Sequence, residues 1–312
     1  MAIFLTGAHG FIGHHTARHL AASGKAVVGL GHGAWVEADY RRVGLYDWLN
    51  GEVSHANLDA LAAKHGAPEC VIHLAGGSAV GPSFAAPAED FRRTVVGTSD
   101  LAEWVRLRAP STPVVMASSA AVYGAGHLGA IAENAQCAPY SPYGYHKHMA
   151  ELALASYAHS FGLRVACVRL FSVYGEGLRK QLLWDACTKL SGNVEVLALG
   201  GHGTELRDWL HVGDAAQLLA LATAHASDQC PIVNCGTGRA TSVQDIATHL
   251  VKCWGGSTTV SFSGAARTGD PKSLVADVSL AATWGWTAKR PWQAGLQDYV
   301  NWFKSTQAPV AL

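Results

Sequence analysis

Residues 6–13 read Thr-Gly-Ala-His-Gly-Phe-Ile-Gly, directly after the apolar run of residues 2–5. The run predicts a buried strand, and the periodic segment that follows the glycines predicts a helix. In such a turn Gly7 permits the tight bend, Gly10 lets the backbone approach a pyrophosphate, and Gly13 lets the helix pack on the strand. The free N–H groups at the start of the helix would bind the anion. A glycine-rich turn with a purely structural role is the alternative.

Outward from this turn, short apolar runs alternate with longer helical patterns. The runs predict buried strands at residues 26–30, 71–74, 114–117 and 165–170. The segments between them predict helices at residues 58–64, 89–108 and 144–161. Strands that alternate with helices favour an α/β fold, a doubly wound parallel sheet with helices on both faces.

After about residue 171 the alternation loosens. Helices are predicted at residues 181–190, 214–225, 243–254 and 292–303, and short strands at residues 194–198 and 232–234. We therefore predict a large domain over residues 1–170 and a smaller one over residues 171–312. Segments near residues 208–236 are candidates to return to the first sheet.

Composition excludes several classes of protein. The 312 residues include 23 Lys and Arg and 23 Asp and Glu, so the formal net charge is zero, which argues against a nucleic-acid-binding protein. The uncharged stretch at residues 109–132 contains two prolines and three glycines and makes a poor transmembrane helix, so no membrane partner is predicted. The N-terminus lacks the features of a signal peptide. The seven cysteines form no CxxC pair and indicate reduced thiols of a cytoplasmic protein.

The residues at the end of the second predicted strand do not decide between NAD and NADP as the cofactor. Dinucleotide-binding folds usually place an acid there to bond the adenosine ribose. Here the strand runs into Gly31-His32-Gly33-Ala34, and the first acid is Glu37. The nearest arginines, Arg41 and Arg42, lie about ten residues further on, so a site for a 2′-phosphate is not evident either. His32 is a candidate contact to the ribose, and a solvated loop histidine is the alternative.

A second motif carries acid–base chemistry. Tyr143 and Lys147 have the spacing YxxxK, which puts both on one face of a helix. A nearby ammonium lowers the pKa of a phenol from about 10 toward neutrality, and the tyrosine then acts as a general acid or base. Two surface side chains are the alternative. Upstream, an apolar strand ends in Ser118 and Ser119, whose hydroxyls would lie at the carboxyl edge of the sheet, where ligands bind in open α/β folds.

The chain resembles the extended short-chain dehydrogenase/reductase family, and within it the branch of nucleotide-sugar epimerases, dehydratases and reductases. The resemblance covers nearly the whole length and rests on TGAHGFIG at 6–13, HLAG at 73–76, SSAAVYG at 118–124, YGYHK at 143–147, RLFSVYG at 169–175 and RDWLHVGD at 207–214. It implies a Rossmann-type dinucleotide-binding domain and a smaller C-terminal substrate-binding domain.

The resemblance also implies roles for single residues. Tyr143 would be the acid/base, Lys147 would hold the nicotinamide ribose and lower the tyrosine pKa, and Ser119 would bond the reacting sugar oxygen. The expected cofactor contacts, besides His32, Tyr143 and Lys147, are Gly7, Gly10, Phe11, Ile12, Gly13, Glu52, Val53, Leu74, Ala75 and Gly76. The expected substrate contacts are Ser78, Ser119, Ser172, Arg207 and Arg267, the two arginines because guanidinium groups bind a diphosphate in bidentate fashion.

Three positions depart from the family's pattern. The acid after the second strand is missing, Thr94 stands where an Asn often precedes a Gly-Thr pair, and Ser172 replaces the usual Asn of the RxFN segment. The last change removes one expected diphosphate contact.

The residues that follow Ser119 reduce the number of reactions that this site could catalyse. By resemblance, dehydratases, decarboxylases and 3,5-epimerising reductases carry an acid or a cysteine just after the catalytic hydroxyl. Here those positions are Ala120 and Ala121, and a methyl group moves no proton. What remains is 4-epimerisation or 4-keto reduction of a nucleotide-diphosphate hexose, and the resemblance favours a 4-epimerase with bound NAD. The alternatives are an NADPH-dependent 4-keto-sugar reductase, since NADP is not excluded, and a non-catalytic dinucleotide-binding module.

Two further expectations concern partners. His15 and His19 have the spacing of a zinc pair, but no glutamate accompanies them, so no metal site is expected. The resemblance implies a homodimer.

Overall fold

The structure, a computed structural model, describes residues 1–265 and 269–307. Its strands, in chain order, are β1 (Ile3–Thr6), β2 (Val27–Gly31), β3 (Asp47–Asn50), β4 (Val71–His73), β5 (Val114–Ser119), β6 (Ala130–Ile131), β7 (Val165–Leu170), β8 (Ser172–Tyr174), β9 (Val196–Leu199), β10 (Leu206–Arg207), β11 (Trp209–His211), β12 (Ile232–Cys235), β13 (Thr241–Ser242), β14 (Thr259–Phe262) and β15 (Ser273–Ala276). Its α-helices are α1 (Phe11–Ala22), α2 (Glu37–Arg42), α3 (His55–His65), α4 (Val80–Ala85), α5 (Pro87–Phe91), α6 (Gly97–Arg108), α7 (Pro142–Phe161), α8 (Gln181–Leu190), α9 (Val212–His225), α10 (Val243–Trp254), α11 (Ser279–Thr283) and α12 (Trp292–Gln307).

Seven parallel strands form the main sheet, in the order β12-β7-β5-β4-β1-β2-β3. From β1 the chain builds outward first to one side, with β2 and β3, and then to the other. The order therefore reverses between β1 and β4. In an open parallel sheet this reversal opens a crevice at the carboxyl ends of the two strands, and ligands bind there. The predicted doubly wound α/β sheet is confirmed.

Helices cover both faces of the sheet, which is why its central strands are buried along almost their whole length. On one face α1 and α9 pack together, and Leu20 and Leu219 belong to the core beneath them. On the other face α3, α6 and α7 bury a second core that contains Leu58, Trp104 and Leu154. Two cores on opposite faces hold the carboxyl edge of the sheet rigidly between them.

Two local differences from the sequence prediction have physical causes. The edge strand β3, Asp-Trp-Leu-Asn, was not predicted because it is short and partly exposed rather than a continuous apolar run. The helix predicted over residues 89–108 is interrupted. It consists of α5, a π-helical turn at Arg92–Val96 and α6. Single π-turns of this kind are frequent at functional sites.

A second lobe stands over the carboxyl edge of the sheet. Its core is formed where α8, α10 and α12 pack around β9, with Leu183, Leu250 and Phe303 fully buried. A four-stranded sheet, in the order β13-β10-β15-β6, lies beside it. Since β12 belongs to the main sheet and β6 to the small one, neither sheet is built from one uninterrupted half of the chain. Within the described ranges, no helix is both long and apolar enough to cross a membrane.

Candidate active site

The glycine turn between β1 and α1 forms one wall of the crevice. Gly7 has a φ of +70°, and a Cβ atom there would lie 2.7 Å from the backbone nitrogen of Ala75, so only glycine fits. Gly10 is the N-cap of α1 and supplies no side-chain cap. The backbone N–H groups of the first helical turn, from Phe11 onward, are therefore free to bind an anion, which the helix dipole also favours.

The segment after β4 forms the opposite wall. The backbone nitrogens of Leu74 and Ala75 donate to the carbonyl and the hydroxyl of Thr6, at 3.1 and 3.2 Å. Gly76 has a φ of +139°, and a Cβ atom there would lie 3.4 Å from the ammonium nitrogen of Lys147. The ends of strands β1 and β4 thus hold the backbone of residues 74–76 close to Lys147.

Behind this wall, His73 is a contact that the sequence reasoning missed. Its Nδ1 lies 2.7 Å from the hydroxyl of Thr6, and its Nε2 lies 3.0 Å from the hydroxyl of Thr98. Complete burial, with the nearby charge of Lys147, lowers the pKa of His73 to about 3, so the ring stays neutral. It ties β1, β4 and α6 together at the edge of the crevice.

Thr94, which occupies the position of the family's Asn, lies in the π-helical turn. Its hydroxyl accepts a hydrogen bond from the backbone nitrogen of Gly77 at 2.8 Å, and its carbonyl accepts one from the hydroxyl of Thr98 at 2.5 Å. The π-turn therefore positions the loop after β4.

Ser119, Tyr143 and Lys147 converge at the carboxyl end of β5. Helix α7 begins at Pro142 and is capped by Ser141, whose hydroxyl accepts from the backbone nitrogen of Gly144. This start places Tyr143 in the first turn and Lys147 one turn later. The Lys147 ammonium donates to the carbonyl of Ala117 at 2.9 Å. Burial lowers the pKa of Lys147 to about 8, although the carboxylates of Asp90 and Glu151 oppose this.

The phenol of Tyr143 is hydrogen-bonded to Ser119. Burial of the phenol raises its pKa, the hydroxyl of Ser119 opposes the shift, and the charge of Asp90 raises the pKa further. The ammonium of Lys147 is hydrogen-bonded to the Ala117 carbonyl.

A buried hydrogen-bonded pair supports α7 from the side of α5. His146 Nδ1 lies 2.6 Å from Asp90 Oδ2, and both side chains are nearly inaccessible. Gly77 packs against this carboxylate so closely that a Cβ atom there would overlap it. The backbone nitrogen of Tyr143 donates to the hydroxyl of Ser83 at 3.0 Å. These contacts join distant segments, which is why the sequence did not reveal them.

The adenosine end of the crevice is aromatic. Trp35 stacks on His14 with ring centres 4.8 Å apart and meets Trp48 edge to face at 5.3 Å. Burial lowers the pKa of His14 to about 4. A Cβ atom on Gly31 would lie 3.1 Å from the Trp48 indole, so the ring fills the space beside the missing acid. His32 is exposed and lies at the edge of this cluster.

The last residue of β3 and the residues just after it form the rest of this end of the crevice. The Asn50 amide oxygen accepts from the backbone nitrogen of Gly33 at 3.1 Å and fixes the loop after β2. Glu52 is exposed and pairs with Arg92 at 2.5 Å, whereas Val53 is buried in the core under α3. The structure thus brings Glu52 and Val53 to the predicted end of the crevice.

A cavity of about 510 Å³ lies in the second lobe. It is lined by Gln181, Leu182, Asp185, Lys189, Leu199, Gly200, Gly201, Glu205, Arg207, Val243 and Asp270. Arg207 Nη2 lies 3.1 Å from Asp270 Oδ1, and its Nη1 donates to the carbonyl of Pro271 at 2.7 Å. Arg267, the other predicted diphosphate contact, lies outside the described residues.

Two of the predicted substrate contacts, Ser78 and Ser172, lie on different segments of the chain. Ser172 begins β8 and is half-buried, and Ser78 is an exposed residue of the loop after β4. The carbonyl of Ser78 accepts a hydrogen bond from Lys180 at 2.8 Å. Lys180 belongs to the second lobe and was not predicted, since no local motif marks it.

His15 joins the two lobes. Its Nε2 lies 2.7 Å from the carbonyl oxygen of Glu176, in the segment after β8. Among the described residues, no group of three or more His, Cys, Asp or Glu side chains is arranged to hold a metal ion. The spacing of His15 and His19 instead reflects one face of α1 that packs beneath the second lobe.

Comparison with known proteins agrees with this geometry. Residues 3–236 match the model of the NAD dependent epimerase/dehydratase family. The chain is 29% identical to a UDP-glucose 4-epimerase of Azospirillum brasilense, over 99% of this chain and 93% of that one.

Two solved structures superpose over nearly the whole chain. One is described as MoeE5 in complex with UDP-glucuronic acid and NAD, with a TM-score of 0.86 and 32% identity over 98% of this chain and 100% of that one. The other is a UDP-glucose 4-epimerase of Thermotoga maritima with UDP-glucose, with a TM-score of 0.89 and 25% identity over 99% and 100% of the two chains. The match of three-quarters of the sequence to one family model, together with this crevice, shows that the chain belongs to the NAD-dependent epimerase/dehydratase family.

Proposed function

We propose that this protein is a 4-epimerase of nucleotide-diphosphate hexoses that keeps NAD bound. The observation that carries the proposal is the meeting of Ser119 and the Tyr143 phenol beside Lys147, with only Ala120 and Ala121 after the serine. The site offers one proton-transferring pair and no second acid or thiol beside it. Transient oxidation at carbon 4 needs no more than that pair and a hydride acceptor.

The residues present fit NAD. The tight turn at Gly7, where only glycine fits, and the free amides from Phe11 onward suit its pyrophosphate. Residues 74–76 and Lys147 would hold the nicotinamide half, and the aromatic cluster with Asn50, Glu52 and Val53 would hold the adenosine half. When bound, NAD supplies reversible hydride transfer. MoeE5, the neighbour with 32% identity, is described with NAD, which supports this choice over NADP.

The chain's own residues would then act on the sugar. Ser119 would hydrogen-bond the oxygen on carbon 4, and Tyr143 would take its proton and later return it. Lys147, with its pKa lowered by burial, would orient the ribose from the far side. Arg207 would bind the diphosphate at the cavity. The hexose would then lie between Arg207 and Tyr143, past Ser78 and Ser172.

The test uses purified protein without added cofactor. We expect UDP-glucose and UDP-galactose to interconvert, and denaturation of the protein to release NAD in a mass spectrum. Protein that carries no dinucleotide and consumes NADPH stoichiometrically with a 4-keto sugar nucleotide is instead a reductase. Protein that binds NAD but turns over no sugar nucleotide is a binding module.

We also propose that the protein is a homodimer that pairs through α6 and α7. Tyr145, Met149 and Leu152 are exposed on α7 at spacings of four and three residues, and Leu107 is exposed on α6. Two adjacent helices with one apolar face become a four-helix bundle when a twofold axis repeats them. A Met149→Asp, Leu152→Asp double variant should elute as a monomer in light-scattering chromatography. An unchanged mass would contradict this interface.

We also propose that the protein works in the cytoplasm. All seven cysteines are free, and five of them are buried: Cys70, Cys167, Cys187, Cys230 and Cys235. Unpaired thiols suit the reducing cytoplasm, where we place the protein. Localisation of a fluorescent fusion would test it.

A further inference from the structure

Lys180 extends from the second lobe across the crevice to the loop after β4. It precedes α8 in an extended conformation, and its ammonium donates to the Ser78 carbonyl at 2.8 Å. The next residue, Gln181, has a φ of +64°, a left-handed conformation that is unusual for any residue other than glycine. Such strain persists where surrounding structure enforces it, commonly at ligand sites. Here it directs Lys180 into the crevice.

Lys180 lies between the residues that line the cavity of the second lobe and the loop after β4. Gln181, its neighbour, lines the cavity that contains Arg207. On the other side, Ser78 directly follows Gly77, which is bonded to Thr94, and Gly76, which approaches Lys147. A sugar nucleotide with its diphosphate at Arg207 and its reacting carbon at Tyr143 would pass its hexose beneath Lys180.

The charged groups in this part of the molecule differ in how they are paired. The carboxylates of Asp90, Glu151 and Glu176 each have a histidine or arginine partner, namely His146, Arg169 and His211. Among the described residues, Lys147 and Lys180 hydrogen-bond only to carbonyl oxygens. Burial lowers the pKa of Lys180, because no carboxylate compensates its charge. This end of the crevice therefore favours a ligand that brings its own negative charge.

We propose that Lys180 binds the carboxylate of a nucleotide-linked hexuronic acid. The proposal rests on the proposed 4-epimerase function and names its preferred substrate class. Carbon 6 is attached to carbon 5, next to the reacting carbon 4, so a carboxylate there lies beside Tyr143 and Ser119. The ammonium would exchange the Ser78 carbonyl for this carboxylate, a stronger, charge-assisted partner.

The test measures binding, so that it does not depend on turnover. Titration calorimetry with UDP-glucuronic acid, UDP-glucose and UDP would be run on the wild type, Lys180→Met and Lys180→Arg. We expect Lys180→Met to weaken UDP-glucuronic acid by about 10- to 100-fold, the size of one charge-assisted hydrogen bond. Affinities for UDP-glucose and UDP should change less than about threefold, and Lys180→Arg should restore most of the uronate affinity.

A matched control is Lys304→Met, since the Lys304 ammonium also donates to a backbone carbonyl, that of Trp254 at 2.7 Å, but far from the crevice. Its affinities should equal those of the wild type. Equal weakening of all three ligands by Lys180→Met would assign Lys180 to the diphosphate and overturn the proposal, as would an unchanged affinity for UDP-glucuronic acid. Selective loss of uronate binding in a protein without epimerase activity would uphold this inference and reject the proposed reaction.

Discussion

Arg169 donates two hydrogen bonds to Glu151, from Nε at 2.9 Å and from Nη2 at 2.7 Å, and both side chains are only 3% exposed. The hydroxyl of Ser118 donates to the same carboxylate at 2.5 Å. The pair therefore ties β7 and β5 to α7, the helix that carries Tyr143 and Lys147. The position of α7 thus depends on a buried charge pair between Arg169 and Glu151.

Removing one partner of this pair should lower the free energy of unfolding substantially. Glu151→Leu leaves the guanidinium of Arg169 buried without a counter-charge, and we expect a loss of about 3–5 kcal/mol in the free energy of unfolding. Urea denaturation would measure it. Glu103→Leu, which removes the exposed partner of Arg106, is the control and should cost less than about 1 kcal/mol. Comparable losses in the two variants would contradict a structural role for the buried pair.

The same pair predicts how stability depends on pH. Arg169, His148 and Ser118 together lower the pKa of Glu151 despite its burial. A carboxyl whose pKa is lower in the folded state stabilises the protein above its unfolded pKa, about 4.3, and this stabilisation is lost as the pH falls. Stability of the wild type should therefore decrease on acidification below about pH 5 more steeply than that of Glu151→Gln. Scanning calorimetry as a function of pH would measure this, and an equal pH dependence of stability in the two proteins would contradict the prediction.

Tyr143→Phe should leave the fold intact and remove most of the activity. The ring packs as before, but the group that moves the proton is gone, which costs on the order of 10²–10⁴ in kcat. Steady-state kinetics on the sugar nucleotide would show this, with circular dichroism as the check on folding. Wild-type kcat in this variant would mean that another group transfers the proton.

Arg207→Ala should weaken the sugar nucleotide far more than the cofactor. Loss of one charge-assisted contact to a phosphate should cost about 1.5–3 kcal/mol of binding free energy. Calorimetric titrations with UDP and with NAD would separate the two ligands. If both affinities fall equally, Arg207 supports the whole crevice rather than the diphosphate.

Gly31→Asp should destabilise the protein rather than restore a ribose contact. Its Cβ atom would press on the Trp48 indole at 3.1 Å, and such overpacking costs about 1–3 kcal/mol. Thermal unfolding would show a lower midpoint, and pairing the change with Trp48→Ala should recover part of the loss. An unchanged midpoint with tighter NAD binding would show that the ring moves aside freely.

The features that sequence predicts here are local ones. The turn at Gly7, the strands of the sheet and the YxxxK spacing are each defined within a few residues, so periodicity and motif identify them. The contacts that position the site are not local: His146 meets Asp90 across 56 residues, and Lys180 meets Ser78 across 102. The raised pKa of Tyr143 was missed for a related reason, because burial depends on how the lobes come together.

The exchange of strands between the two sheets has a consequence for synthesis. β7 ends at Leu170, but β12, which covers its outer edge, begins only at Ile232 of 312 residues. A nascent chain that has emerged through β7 therefore exposes the unpaired edge of a mostly apolar strand, a template for wrong pairing with another chain. The ribosome must add some sixty more residues before that edge is closed, at about 5–20 residues per second, an interval of several seconds. During that interval we expect the growing polypeptide to depend on chaperones.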